Sequence, residues 1–447
     1  MSGNSSTVSA TSGVGSTPDP VPARRNEWLL VAFTGTTNTA DAVMRVALPL
    51  LATRLTSSPA LIAAVAIMLT LPWLVTALHI GVFVDRMNRR SLMVGAEFAR
   101  MASIVVMLIA VALNATTLPL IYAVALVLGV AEVVAQLAAM SIIPSVAPKS
   151  RWQSLNTRMT ATEYVSFSFV GAPIGGFLVA AGFAIAFGVT GAVYLIGALL
   201  LTMLVGNFTV QKTKERRPAR VEIREGLQFL LRHKLLRTMA VLITFMSGCW
   251  AAWYAIIPAY AVGGPLDLTS KQFGFLLTSL GAGGVVGTSL VGPMNRLLGR
   301  RWVMFVNIIC TVLMVGVPAL LPATPSSAWL VGVAAFFAGI GGTMWTVNSR
   351  VISQSLVPNE LLGRFNAASR LVSWGMTPVA AAVAGGLAQW LGFRVAFGFF
   401  AVICVALIYP FLRVITREAV AEVDAPVPDD AGEAETVEAV EATDKKA

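Results

Sequence analysis

Asn38, Asp41 and Arg45 stand three and four residues apart, so a helix would carry all three on one face. They lie in an apolar run, 28–53, long enough to cross a bilayer. Asp41 is about 13 residues into that run, about 20 Å at 1.5 Å per residue, past the middle of a roughly 30 Å hydrocarbon core. An ionisable side chain at that depth costs at least about 2.5–3.5 kcal/mol on insertion scales, which makes it a functional candidate by default. Glu97 with Arg100, then Glu132, then Glu163 fall in three further apolar runs. Glu97–Arg100, near a run's end, reads as a structural pair. Asp41–Arg45 reads equally as an internal salt bridge or a working pair. Glu132 has no base at helical spacing in its own run, so it needs a partner elsewhere or a proton. A carboxylate out of water favours its protonated form, the property that a reversible proton carrier requires. The candidates for proton coupling are Asp41, Glu132 and Glu163, in that order.

The second half of the chain offers different chemistry. Its acids Asp267 and Glu360 fall in loops, and none falls inside an apolar run before the tail. Aromatic residues take their place: Trp250, Trp253 and Tyr254 in one run, Trp345 in another, with Asn348 close by. An aromatic wall opposite carboxylates suits amphipathic, often cationic ligands. Asn38, Arg45, Trp250, Trp253, Tyr254, Trp345 and Asn348 are therefore the candidate substrate-cavity residues, with plain helix packing the competing reading for each aromatic. Trp28 and Trp329, at run ends, read as an interfacial belt.

Composition says what must hold these groups. Of 447 residues 56% are hydrophobic and 12% charged, with a mean hydropathy of +0.77. Soluble globular proteins carry roughly 25% charged residues, so a water-soluble enzyme is excluded. The net charge of +10 lies mainly in short loops between apolar runs, which argues against nucleic acid as a partner. Cys249, Cys310 and Cys404, all in apolar runs, give neither a disulfide framework nor metal-ligand spacing. With His79 and His233 the only histidines, a histidine-built metal or triad site is not expected, and no cofactor is implied. No phosphate-binding Gly-x4-Gly-Lys-Ser/Thr is present, so ATP drive would need another subunit.

Twelve apolar runs long enough to span lie near 28–53, 60–83, 91–113, 118–142, 155–180, 184–208, 237–262, 272–294, 301–321, 327–350, 362–390 and 395–415. With the N-terminus inside, the outer loops hold only Arg54, Lys271 and Arg394, so both termini are expected in the cytoplasm. A shift of 210 places Pro148 on Pro358, Asn156 on Asn366, Gly175-Gly176 on Gly385-Gly386 and Gly182-Phe183 on Gly392-Phe393. The expected architecture is an all-α membrane protein of 12 transmembrane helices in two pseudo-symmetric six-helix bundles, with a site between them near the midplane. Its parts are a disordered cytoplasmic N-terminus (1–25), a first bundle (26–208), a cytoplasmic linker (209–236), a second bundle (237–417) and a disordered acidic tail (418–447). Within the linker, 221–232 repeats apolar residues at helical spacing among bases, as an amphipathic helix on an anionic leaflet would.

The segment Gly81-Val82-Phe83-Val84-Asp85-Arg86-Met87-Asn88-Arg89-Arg90 resembles the G-x-x-x-D-R-x-x-R-R signature of the major facilitator superfamily. The resemblance implies alternating access, a cavity lined by the seventh span, and a cytoplasmic gate of Gly81, Asp85, Arg86, Arg89 and Arg90. Positive-inside anchoring alone also accounts for Arg89 and Arg90. In the second copy Arg296 replaces the Asp, with Asn295 beside it. Within the superfamily the chain is similar to the macrolide-efflux and enterobactin-exporter branch of drug:proton antiporters. That similarity rests on Asp41 with Ala47-Leu48-Pro49-Leu50-Leu51, on Pro144-Ser145-Val146-Ala147-Pro148, on Trp374-Gly375-Met376-Thr377-Pro378, and on Gly171-Ala172-Pro173-Ile174-Gly175-Gly176. In the last of these, Gly171, Pro173, Gly175 and Gly176 also form a helix-packing motif.

The leading expectation is export of a small amphipathic compound by proton antiport from the plasma membrane, as a monomer with protons and anionic lipid as partners. Proton-coupled metabolite uptake on the same fold is the runner-up. A transport-dead sensor or assembly partner is the third, and an enzyme the least favoured. Substrate contacts would be dispersed over many helices, so substrate identity has no short signature.

Overall fold

The computed structural model describes residues 21–84, 87–206, 208, 219–357 and 359–416. Nearly all of them are helical. The first half comprises α1 (Val21–Ala52), α2 (Pro59–Val75), α3 (Ala77–Val84), α4 (Arg89–Ala112), α5 (Leu118–Val146), α6 (Trp152–Tyr164), a π-helical segment (Val165–Gly171), α7 (Ala172–Ala181) and α8 (Phe183–Thr202). A linker helix α9 (Ala219–Arg232) follows. The second half comprises α10 (Lys234–Ala261), α11 (Ser270–Leu298), α12 (Arg300–Leu320), α13 (Ala328–Leu356), α14 (Asn359–Trp390), α15 (Phe393–Ala406) and α16 (Ile408–Val414).

Local sequence explains where these helices start. Ser58 caps α2, its hydroxyl accepting from Leu61 N at 3.4 Å, with Pro59 at the first helical position. Asn88 caps α4 through Ser91 N at 3.2 Å. Thr269 and Gln272 form a reciprocal capping box on α11, at 2.8 and 3.3 Å. Gly182 and Gly392, matched by the 210-residue shift, both have positive φ (138° and 86°) and both open a helix. These turns need a residue without a Cβ.

Among the described residues, nine helical stretches are long and apolar enough to cross a membrane, and Pro59–Val75 is a shorter apolar helix. The distribution of side chains is that of a membrane protein. Ile109, Leu320, Trp390 and Val402 are exposed, whereas Glu97 and Arg100 are 0% and 1% exposed. A protein in water would pay heavily for that inversion, but lipid removes the penalty on the apolar exterior.

In the first half, α1 packs on α7 and α8, α4 on α5 and α8, and α2 on α5. In the second half, α11 packs on α13, α10 on α14, and α12 on α13 and α15. The halves meet along α2 with α10 and α14, and along α7 with α11. At the end holding the α1–α2 and α10–α11 connections this contact is close. Ser58 Oγ and Gln389 Oε1 are 2.6 Å apart, and a Cβ built on Gly176 would fall 2.3 Å from Gly274 Cα. One apolar cluster there runs through both halves, from Ala63 and Phe187 to Trp253, Ala384 and Phe397.

The linker helix α9 does not stand alone. Its Leu230 is buried with Leu236, Ala240, Val357 and Phe365, so this part of the expected amphipathic segment docks on α10 and α14.

Candidate functional site

The face of α1 expected from spacing is real, but its charges pair differently. Asp41 does not bridge to Arg45. Arg100 of α4 reaches it instead, donating from Nη2 to Asp41 Oδ2 at 3.1 Å. The same guanidinium donates from Nη1 to Glu97 Oε1 and, at 3.2 Å, to Thr37 Oγ1. Thr37 donates its own proton to Glu97 Oε1 at 2.7 Å, and Tyr194 of α8 donates to Asp41 Oδ1 at 2.7 Å. Arg45 lies one turn beyond Asp41 and reaches across to α5, whereas α4 brings Arg100 up to Asp41 of α1 and Tyr194 of α8. Glu97–Arg100 is thus an ion pair, as the sequence indicates, and Asp41 is its third member. Two carboxylates facing one guanidinium leave one negative charge over. Glu97 Oε2 is buried without a hydrogen-bond partner, beside Gly197.

A second ion pair lies one turn along. Arg45 Nη2 stands 2.6 Å from Glu132 Oε2, and the Trp73 indole donates to Glu132 Oε1 at 3.4 Å. Glu132 therefore has the partner that its own helix could not supply. The Arg45 guanidinium also lies 5.1 Å from the Phe167 ring centroid, within cation–π range. Glu163, on α6, accepts from Gln136 Nε2 at 2.6 Å.

Most of these groups border one small cavity of about 40 Å³ between α1, α5 and α6, extending toward the α5–α6 connection. Asn38, Asp41, Arg100, Glu132 and Glu163 are on its wall, with Thr34, Thr37, Gln136, Asn156 and Thr160. Sequence reasoning missed Tyr194, Thr37 and Gln136. Thr37 is four residues before Asp41 and Gln136 four after Glu132, so helical spacing was a usable signal for both. Tyr194 comes from a distant segment and has no such signal.

The expected aromatic wall lies elsewhere. Trp253 is fully buried, edge-on to Tyr254 with centroids 5.3 Å apart, and its indole N–H has no hydrogen-bond partner. Trp250 is half-buried against Tyr254 and donates to Thr311 Oγ1 at 3.4 Å. Trp345 packs with Met246, Met304 and Ile308. Asn348 exchanges hydrogen bonds with Asn295 at 2.9 and 3.1 Å, tying α13 to α11. None of these five borders the cavity in this conformation. The buried thiols Cys249 and Cys404 approach to 3.3 Å across α10 and α15, a proximity that their spacing does not reveal.

Of the loop residues, Asp85 and Arg86 lie outside the described residues. Among the described residues, Gly81 meets no neighbour within 4 Å of a built Cβ. Arg89 is buried, and its amide donates to Phe208 O at 3.4 Å. Arg90 donates to Leu201 O at 2.9 Å and to Thr202 O, capping the C-terminus of α8. Gly171, which ends the π-helical segment, and the glycines of α7 are packed tightly. A Cβ on Gly171 would fall 2.5 Å from Ala42 Cβ, one on Gly175 3.1 Å from Val43 Cα, and Pro173 Cγ lies 3.4 Å from the position of a Cβ on Gly281.

A group of charged residues buried between helices beside a polar cavity is the architecture of a carrier, and comparison with known proteins agrees. The chain is 23% identical over 386 residues to the multidrug efflux pump Tap of Mycolicibacterium fortuitum, covering 84% of this chain and 92% of that protein. It is 25% identical over 404 residues to Tap of Mycobacterium tuberculosis, covering 87% and 94%. Among solved structures, the nucleoside transporter NupG superposes with a TM-score of 0.65 at 12% identity, over 89% of this chain and 99% of that one. The family model of the Major Facilitator Superfamily matches residues 29–367 and 250–442. By that match and this fold, the chain belongs to the Major Facilitator Superfamily: it is a multi-pass membrane transporter of small molecules, not an enzyme.

Proposed function

We propose that this chain is a proton-coupled secondary carrier of a small polar solute, working by alternating access. Twelve crossings in two six-helix halves, with both termini in the cytoplasm of a plasma-membrane protein, accommodate the helices and the distribution of Lys and Arg. The observation that carries the reading is the buried group Asp41, Glu97, Arg100 and Tyr194, which has one negative charge more than its guanidinium balances. A proton is the smallest cation that can neutralise it. With the proton on Asp41, the Arg100 guanidinium is left to Glu97 and Thr37, and the tie between α1 and α4 loosens. Solute and proton binding are then linked through the same helices, and the linkage is reciprocal.

A polar solute suits a cavity that threonines, amides and carboxylates border and the tryptophans of the second half do not, and uptake by symport is the first reading of its direction. Export by antiport, in the manner of the macrolide-efflux and enterobactin-exporter branch, is the second reading. It is favoured by the likeness to efflux pumps named Tap. Asp85 and Arg86 would serve either direction as part of a cytoplasmic gate.

The test is flux in proteoliposomes of known orientation under an imposed pH gradient. Wild-type protein should concentrate solute, and the sign of the required gradient separates symport from antiport. Asp41→Asn should lose concentrative flux and keep downhill exchange. An Asp41→Asn carrier that still concentrates solute sinks the assignment of the proton site.

A further inference from the structure

We infer that the small cavity between α1, α5 and α6 is an aqueous path that carries a proton from the α5–α6 connection to Asp41. The inference rests on the carrier reading above and adds the route by which its proton site is reached. Two helices set the same pattern along the cavity. Thr34, Asn38 and Asp41 on α1, and Asn156, Thr160 and Glu163 on α6, are each spaced by four and then three residues. That spacing keeps each trio on one helical face. Glu132 and Gln136, four residues apart on α5, form the third side. Exposure falls along this wall. Asn156 and Met140 are exposed, Thr160 and Gln136 are half-buried, and Asn38 and Asp41 are 9% and 7% exposed. The polar lining therefore leads from the protein surface to the buried acid.

Size and hydrogen-bonding capacity both select water. A volume of about 40 Å³ has room for about three waters at roughly 10–15 Å³ each, whereas drug-sized ligands need about 300–1,000 Å³. Asn38, Asn156 and Gln136 each spend one N–H on the protein, to Thr34 O at 2.8 Å, Trp152 O at 2.9 Å and Glu163 Oε1 at 2.6 Å. The second N–H of each amide remains a donor, its carbonyl oxygen remains an acceptor, and the Thr160 hydroxyl is both. A wall offering both kinds of group is matched by a molecule that donates and accepts, as water does.

At the deep end, Asp41 is surrounded by Arg100 and Glu97 from α4, Tyr194 from α8, and the Arg45–Glu132 pair of α1 and α5. Its Oδ1 accepts from Tyr194 and its Oδ2 from Arg100, and each oxygen keeps a second lone pair. A proton entering beside Asn156 passes from water to water, each taking one and giving one. The last water donates to a free lone pair of Asp41. Only O–H bonds form and break, and the positive charge arrives where one negative charge is in surplus.

Radiolytic hydroxyl-radical footprinting of the purified full-length chain in detergent tests this, because the radicals form where water stands. Phe33 and Met159 border the cavity and are 2% and 7% exposed. Phe400 and Met239 are as deeply buried, at 3% and 6%, but lie in apolar clusters of the second half. Polar cavities hold water and apolar ones stay dry, so Phe33 and Met159 should oxidise at least about tenfold faster than Phe400 and Met239. Thr160→Leu, which puts an apolar side chain on the wall, should lower Phe33 oxidation by the same factor and leave the exposed Met140 unchanged. Thr160→Ser should behave as wild type. Deuterium exchange of the Asp41 carboxyl, read as the infrared band that Asp41→Asn removes, should slow equally in Thr160→Leu and not in Thr160→Ser. Should Thr160→Leu fail to fold, the comparison of wall and control residues in the unaltered chain decides alone. Equal oxidation of wall and controls, Phe33 oxidation that persists in Thr160→Leu, or unchanged carboxyl exchange in that variant overturns the path. Neither measurement uses solute or a gradient. A wet wall in a carrier that still concentrates solute as Asp41→Asn therefore sinks only the proton site of the carrier reading. A dry wall in a carrier whose coupling needs Asp41 sinks only this route.

Discussion

Arg100 is the group whose removal should cost most. It is 1% exposed and is the shared partner of Asp41 (7% exposed) and Glu97 (0%). Arg100→Met keeps the length and apolar stem of the side chain but leaves two buried carboxylates facing each other. Breaking a buried ion pair from one side costs about 3–5 kcal/mol, because the surviving charge stays desolvated. Asp41→Asn is the opposite case. It removes the surplus charge, leaves Glu97–Arg100 balanced, and lets the amide keep a hydrogen bond to Tyr194, so its cost should stay below about 1 kcal/mol. If the first half melts as a unit of roughly 180 residues, at about 2–4 °C per kcal/mol, Arg100→Met should lower the melting temperature by about 6–20 °C. Asp41→Asn should lower it by less than about 4 °C. Adding Asp41→Asn and Glu97→Gln to Arg100→Met should recover most of the loss, since the triple variant buries no charge. The assay is thermal melting of detergent-purified protein followed by size-exclusion chromatography. Equal losses for Arg100→Met and Asp41→Asn, or no recovery in the triple variant, would refute the surplus-charge argument.

Gly176→Ala should disfavour the conformation described here, because its Cβ would fall 2.3 Å from Gly274 Cα. Overpacking of about 1–3 kcal/mol is a factor of about 5–150 in population. Cross-linking of Ser58→Cys with Gln389→Cys, in a background lacking the three native cysteines, should slow accordingly; an unchanged rate would mean that α7 and α11 part without consequence. Arg90→Ala should cost about 1 kcal/mol in melting experiments by uncapping the carbonyls of Leu201 and Thr202. Loss of surface anchoring alone would leave the melting temperature where it was.

Apolar length and loop punctuation were legible, and helices occupy each region where the sequence suggests a span. Breaks inside those regions were not. A proline stands beside each of them, Pro72 before the division at Val75–Ala77 and Pro173 after the π-helical segment at Val165–Gly171, but a proline's presence does not fix which turn gives way. At the site, position within apolar runs singled out Asp41, Glu97, Arg100, Glu132 and Glu163, and the structure sets them in two ion-paired groups and, for Glu163, against Gln136. Spacing within one helix could not say that Arg100 would reach across to Asp41, or that Arg45 would turn to Glu132. Pairing between helices is a tertiary property, and a single chain's periodicity is blind to it. The tryptophans show the same limit: Trp250 and Trp253 share a helix, yet one reaches Thr311 and the other is sealed in the apolar cluster spanning both halves.

The π-helical segment Val165–Gly171 joins the helix that carries Glu163 to the helix that carries Gly176. Its hydrogen bonds reach one residue further than those of an α-helix. Tightening a single such turn to α geometry advances everything beyond it by one residue, about 100° of rotation and 1.5 Å of rise. With α7 held against α11 by its glycines, the motion would fall on α6, and the Glu163 carboxylate would swing away from the cavity. One backbone turn would then join the position of the Glu163 carboxylate to the packing of α7 on α11.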